Sequence, residues 1–241
     1  MLERVVRIAQ QAAKGLHVTI VVATDDDRIA SCAESYGVTV IRTSVNCATG
    51  TDRVCAAMRL MASPPDYVLN LQGDAPLTPP DFVRAVLDRL LQGGCDVATP
   101  VTQLSWPELD ALRKAKLSTP HSGTTAVFDQ KSGKAHWFSK AIFPVLRQEA
   151  TLRQRSDMSP VWRHVGLYGY SREMLEKFVS WPEGTYERLE GLEQLRILEH
   201  GYSMVCVPVS YGGRIGMSGV DSPEDVVRAE GLIAEHGDIY I

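Results

Sequence analysis

Short β-branched and aliphatic runs alternate with longer segments whose apolar residues recur at helical spacing. This alternation constrains the fold more than any other feature of the chain. Val5, Val6, Ile8, Ala9, Ala12 and Ala13 define a first helical stripe, and Lys14-Gly15 marks its stop. Residues 17–23 (HVTIVVA) read as a buried strand. Asp25-Asp26-Asp27 caps a helix that runs to Tyr36 and closes at Gly37. Strands are expected at 38–41, 67–71 and 96–101, with helices at 51–61 and from Pro79-Pro80-Asp81 to Leu91. Alternation of this kind implies right-handed βαβ crossovers and a largely parallel sheet.

The middle of the chain breaks the rhythm. Residues 124–128 and 135–138 read as a hairpin around Lys131-Ser132-Gly133. Residues 144–160 are polar and irregular, 162–170 read as one strand, and a helix follows from Arg172. Residues 189–199 read as a helix and 204–209 as a strand. Ser222-Pro223-Glu224-Asp225 starts a final helix, with Ser as N-cap and Pro at the first helical position. The reading is one α/β domain over 1–241 with an inserted β-rich lobe near 120–170.

Composition narrows the function classes. Lys and Arg total 25 against 29 Asp and Glu, a net charge of −4, which disfavours broad electrostatic binding to nucleic acid or anionic membrane. No apolar run approaches the roughly 20 residues of a membrane span, and the opening Met-Leu-Glu-Arg lacks the apolar core of a signal peptide. The five cysteines are odd in number and form no CxxC pair, which fits reduced thiols in a cytosol.

Chemistry is expected beyond the carboxyl ends of the strands. Gln72-Gly73-Asp74-Ala75 follows the 67–71 strand, so Asp74 projects there, where a carboxylate suits a hard divalent cation shared with phosphate. A turn Asp after Gly explains the same residues without a ligand. Thr49-Gly50-Thr51-Asp52-Arg53 offers amides and hydroxyls at a helix start, suited to an anion or a polar base. Simple N-capping by Thr51 is adequate by itself and is the commoner reason for such residues. Within 162–170, alternation places His164, Gly166 and Tyr168 on one face. That face suits a polyol or carboxylate, or equally a cross-strand aromatic pair. Glu190, Glu193, Gln194 and Arg196 read first as a solvated helix face. Asp221 precedes a helix N-terminus and would join a metal site only if it met Asp74 in space.

Taken together, these segments resemble the 3-deoxy-manno-octulosonate (Kdo) cytidylyltransferase family. The matching words, in family order, are VVATDDDRIA (21–30), TGTDR (49–53), NLQGDAP (70–76), WFSKAIFP (137–144), RHVGLYGY (163–170), LEGLEQLRIL (189–198) and GVDSPEDV (219–226). The resemblance implies a nucleotide-diphospho-sugar transferase-like, doubly wound, mostly parallel α/β fold, with a β-rich lobe at about 120–185 for sugar binding and dimerisation. It implies transfer of CMP from CTP to the anomeric hydroxyl of Kdo, releasing pyrophosphate, for lipopolysaccharide synthesis by a cytoplasmic homodimer. By matching position, Asp74 and Asp221 would hold Mg²⁺ and, with Gln72, form the catalytic set. Thr49, Gly50, Thr51, Arg53, Gln72 and Asp74 would line the nucleotide. Gln72, Lys140, His164, Tyr168, Glu193 and Gln194 would contact the sugar.

The resemblance also has departures. Family members open with a strand and a basic, Gly-containing loop around the triphosphate. Met1 aligns just after that loop, so about 20–25 residues, one strand plus one loop, have no counterpart here. Lys140 stands where Arg is usual, keeping the charge but not the bidentate fork. Ala75 stands where Glu is usual, and Thr49 where Ser is. The alternatives are a cytidylyltransferase for another 2-keto acid sugar, 8-amino-Kdo or sialic-type, and an inactive binding protein of this fold.

Overall fold

The computed structural model describes residues 1–214, 216 and 219–237. In chain order the elements are α1 (Leu2–Ala12), β1 (Val21–Thr24), α2 (Asp27–Ser35), β2 (Thr39–Arg42), α3 (Gly50–Leu60), β3 (Tyr67–Asn70), α4 (Pro80–Leu91), β4 (Val97–Ser105) and α5 (Trp106–Ala115). They continue with β5 (Thr125–Phe128), β6 (Ala135–Ser139), α6 (Glu149–Arg155), β7 (Met158–His164), β8 (Tyr168–Ser171), α7 (Arg172–Ser180), α8 (Thr185–Glu190), α9 (Leu195–Glu199), β9 (Val205–Val209) and α10 (Pro223–His236).

The strands form two sheets. β1 and β2 pair in parallel, Val21 opposite Thr39. The larger sheet runs β3-β8-β4-β7-β5-β6, with β9 parallel to β4. β3 and β4 each pair antiparallel with β8 and therefore run the same way. The parallel frame implied by the alternation thus persists in β3, β4 and β9, while the mid-chain strands enter antiparallel. β5, β6 and β7 extend the same sheet, with Thr125 opposite both Ser139 and Arg163.

β4 is the hub. Along one edge it pairs first with β8 and then with β7, and along the other with β9. Alternation sends Val97 and Val101 to one face, among Phe138, Tyr168, Tyr170, Phe178 and Leu195. Ala98 goes to the other, among Ile8, Phe82, Val86 and Leu90 of α1 and α4. Each fully buried side chain of that size contributes roughly 1.5–3 kcal/mol relative to exposure. Gly169 allows α4 to lie this close, because a Cβ there would come within 2.8 Å of Val86 Cγ1.

Several expectations are corrected. The strand expected over 17–23 pairs only over Val21–Thr24, and β1 and β3 are half-buried along most of their length. The cause is pairing: among the described residues β1 has only β2 beside it, and β3 only β8. The single strand expected at 162–170 is two. A tight turn in which Leu167 N–H donates to Val165 O at 2.7 Å separates β7 from β8. The 144–160 stretch is not wholly irregular, since α6 lies within it. Polar contacts hold it: Arg113 grips Glu149 at 2.7 and 2.8 Å, and Arg153 bonds Asp110 and Glu149, each at 2.7 Å. Charge contacts of this kind leave no apolar period to read. The helix expected at 189–199 breaks at Gly191, whose positive φ of 63° ends α8. α5 carries a readable sign, the Ser105–Glu108 capping box with Pro107 in the first turn. In α3 the N-cap is Thr49, boxed with Asp52, and not Thr51.

Candidate active site

The Asp74 loop leaves the end of β3 and is held from two directions. Arg4 Nε of α1 donates to Pro76 O at 2.6 Å. Val220 N–H donates to Asp74 O at 2.7 Å, docking the 219–221 segment onto the loop. Gly219 permits that approach, because a Cβ there would stand 3.3 Å from Asp74 Cγ. Asp221 follows at once, ahead of the Ser222 N-cap and its capping box with Asp225. The two carboxylates that spacing alone could not join are therefore neighbours. Asp74 Oδ1 is buried and has no hydrogen-bond partner. Burial, and then the charge of Asp221, raise the Asp74 pKa above the usual carboxylate range. No third His, Cys, Asp or Glu completes a metal cluster among the described residues.

The α3 N-terminus forms a second part of the site. Thr49 and Gly50 are exposed there. The Thr49 hydroxyl accepts from Asp52 N–H at 3.1 Å and also lies 2.9 Å from Asp52 Oδ2. Arg53 is half-buried and faces the small sheet, bonding Thr43 Oγ1 at 2.8 Å and pairing with Asp25 at 3.0 Å. Thr51 points inward and is buried. Gln72 is exposed on the loop beyond β3.

A third group is polar and almost wholly enclosed. The Thr51 hydroxyl meets Glu193 Oε2 at 2.9 Å and Oε1 at 3.2 Å, and Asn70 Nδ2 donates to Thr51 Oγ1 at 3.4 Å. Tyr168 O–H donates to Gln194 Oε1 at 3.0 Å, while buried Gln194 Nε2 has no partner. The His164 ring lies 5.5 Å from that of Tyr168 and 5.1 Å from that of Phe138. Burial raises the pKa of Glu193, and burial with the Glu193 charge raises that of Tyr168. Burial and the Lys140 charge push His164 down to about 3, so its ring is neutral.

Lys140 is held by its backbone. Its N–H donates to Glu190 Oε2 at 2.7 Å, and its carbonyl accepts from Lys116 Nζ at 2.5 Å. The Lys116 ammonium also reaches Pro120 O at 3.2 Å and Gly123 O at 3.1 Å, tying the 120–123 turn to Lys140. Burial lowers the Lys140 pKa, opposed by Glu190.

The solvated helix face expected at 190–196 is overturned. Gln194 and Arg196 are buried, and Arg196 forms a two-point ion pair with Glu187 at 2.6 and 2.7 Å. The structure thus gathers Lys140, His164, Tyr168, Glu193 and Gln194 into one cluster joined to α3 through Thr51. It pairs Asp74 with Asp221 separately and leaves Gln72 exposed. Sequence reasoning passed over Thr99, Lys116 and Asn70. Thr99 carried a readable signal, a hydroxyl inside the apolar run of β4.

The cytidylyltransferase family profile matches residues 1–205. The 3-deoxy-manno-octulosonate cytidylyltransferase of Maricaulis maris is 41% identical over 99% of this chain and 89% of its own length. That of Vibrio cholerae is 32% identical over 95% of this chain and 86% of its own. The solved CMP:2-keto-3-deoxy-manno-octonic acid synthetase complexed with CTP superposes with a TM-score of 0.78 at 26% identity, over 97% of this chain and 88% of that one. A 4-diphosphocytidyl-2C-methyl-D-erythritol synthase from Anaerococcus prevotii shares the fold, with a TM-score of 0.58 at 12% identity over 97% of this chain and 88% of that one.

Proposed function

Because the chain belongs to the 3-deoxy-manno-octulosonate cytidylyltransferase family, we propose that it transfers CMP from CTP to the anomeric hydroxyl of Kdo, releasing pyrophosphate. The observation that carries this reading is the meeting of Asp74, whose Oδ1 is buried and unpartnered, with Asp221 at the loop that follows β3. The anomeric oxygen attacks the α-phosphorus of CTP and pyrophosphate departs. Such a reaction needs placement and charge neutralisation more than covalent help.

The carboxylate pair fits a divalent cation. Asp74 Oδ1 is a bare oxygen in a desolvated place, the carboxyl pKa is raised by burial and then by the Asp221 charge, and a hard cation would relieve both conditions. Asp74 and Asp221 would hold Mg²⁺, which when bound neutralises phosphate charge and favours the ionised form of a hydroxyl nucleophile. The α3 N-terminus, with Thr49 and Gly50 exposed, offers backbone donors to the nucleotide. Lys140 presents an ammonium to the sugar carboxylate from a backbone fixed by Glu190 and Lys116. Gln194 Nε2 offers a free donor, and Glu193, Tyr168 and His164 complete a wall suited to several hydroxyls. No side chain is needed as general base. The product would feed lipopolysaccharide assembly, and the working form would be a cytoplasmic homodimer.

The direct test is pyrophosphate release with CTP, Mg²⁺ and Kdo, repeated with 8-amino-Kdo and a sialic-type acid. Release with Kdo that Asp74→Ala abolishes supports the reading. No release with Kdo, or an Asp74→Ala enzyme as active as the parent, overturns it.

A further inference from the structure

His164 sits in the proposed sugar site, and its chemistry depends on which ring nitrogen carries the proton. One contact decides this. Thr99 Oγ1 stands 2.8 Å from His164 Nε2 and 2.9 Å from Leu167 O, with Val165 O farther off at 3.4 Å. Thr99 is fully buried in β4, and His164 is buried at the end of β7. A hydroxyl has one proton to give, and a carbonyl can only accept.

With the proton on Nε2, the ring donates to Thr99 and Thr99 donates to Leu167 O, so both contacts are made and Nδ1 alone is left open. With the proton on Nδ1, Thr99 must choose between Nε2 and Leu167 O, and one buried acceptor is left bare. No other described residue hydrogen-bonds the ring. We infer that Thr99 is a positioning residue that locks His164 as the Nε2–H tautomer, leaving Nδ1 as a lone-pair acceptor that selects an O–H donor on the sugar. His164 then reads a hydroxyl and moves no proton in the reaction. The depressed basicity of the ring, caused by burial and the Lys140 charge, agrees with a neutral acceptor. Ring packing also restrains the imidazole, with the Phe138 and Tyr168 rings at 5.1 and 5.5 Å.

This inference rests on the proposed sugar site for its functional half, while the tautomer stands on geometry alone. Long-range ¹H–¹⁵N correlation spectra of ¹⁵N-histidine-labelled full chain read the tautomer, with His164→Gln identifying the signal among six histidines. The expected spectrum shows His164 neutral and protonated at Nε2 at neutral pH. An Nδ1–H tautomer or a charged ring overturns the inference, whether or not the enzyme is active. Steady-state kinetics on Thr99→Val and Thr99→Ser supply the second readout. Thr99→Val is expected to raise the sugar KM by about tenfold or more, the size of one lost hydrogen bond, with the CTP KM within about twofold. Thr99→Ser is expected to restore the parent value. A sugar KM in Thr99→Val within about twofold of the parent, or a Ser variant as impaired as the Val variant, overturns the positioning role. If Thr99→Val does not fold, the parent spectrum alone decides. A parent that makes no CMP-sugar defeats the proposed function, and the tautomer measurement still stands or falls by itself.

Discussion

The Lys140–His164–Tyr168–Glu193–Gln194 cluster and the Asp74–Asp221 pair are parts of one proposed site built in opposite ways. In the cluster three side chains are each held by a protein partner: Thr51 serves Glu193, Tyr168 serves Gln194, and Thr99 serves His164, with Gln194 Nε2 and His164 Nδ1 left open. Its order exists before any ligand arrives. At the carboxylate pair, Asp74 Oδ1 has no partner and the charge that acts on it is another carboxylate's. Half of the site is therefore held ready by the fold, and half is left in tension for a ligand to resolve.

Asp74→Asn breaks the comparison most sharply. It is expected to lower kcat by about 10³-fold, a loss of several kcal/mol at the phosphate. In metal-free protein it should instead raise Tm by about 2–4 °C, through the loss of roughly 1 kcal/mol of like-charge repulsion. Calorimetry beside kinetics checks this, and a fall in both quantities would put Asp74 in the satisfied class.

Next in size is Arg196→Met, which strands buried Glu187 and should cost about 3–5 kcal/mol in urea unfolding. The double variant with Glu187→Met should recover most of that loss. Thr51→Val follows. It removes the hydroxyl that Glu193 bonds, and should cost about 1–3 kcal/mol with a raised sugar KM. The smallest effect is that of pH. The Asp74 pKa is raised in the folded chain, so its contribution to stability is present below the unfolded-state pKa and fades as pH rises through the folded value. Tm of the parent in metal-free buffer should drift down relative to that of Asp74→Asn across that window. Added Mg²⁺ should cancel the drift at the upper end and matter least at the acid end, where protons compete.

Much of the frame was legible because periodicity and capping are local. The Ser222 cap, the 124–138 hairpin and the strand before Asp74 all follow from neighbouring residues. Of the cluster, alternation offered His164 and Tyr168; Lys140, Glu193 and Gln194 were legible only through family resemblance, and the reason is physical. Glu193, Gln194 and Arg196 look like a solvated face by composition, and only the break at Gly191 and the Glu187 ion pair turn them inward. Arg53, given to the nucleotide only by the resemblance, is tied by the fold to Asp25 and Thr43, contacts that no local pattern announces. The half-burial of β1 and β3 was illegible as well, since a hydrophobic run does not state how many strands will lie beside it.

Thr51 stands two residues beyond the Thr49 cap of α3, and its hydroxyl rests on Glu193. The start of the helix offered to the nucleotide and the wall offered to the sugar thus share one buried contact. A nucleotide bound at the α3 N-terminus and a sugar bound against Glu193 would act on the two ends of a contact that the fold has already made. Linkage would make any coupling through it reciprocal: the factor by which CTP tightened the sugar would be the factor by which the sugar tightened CTP.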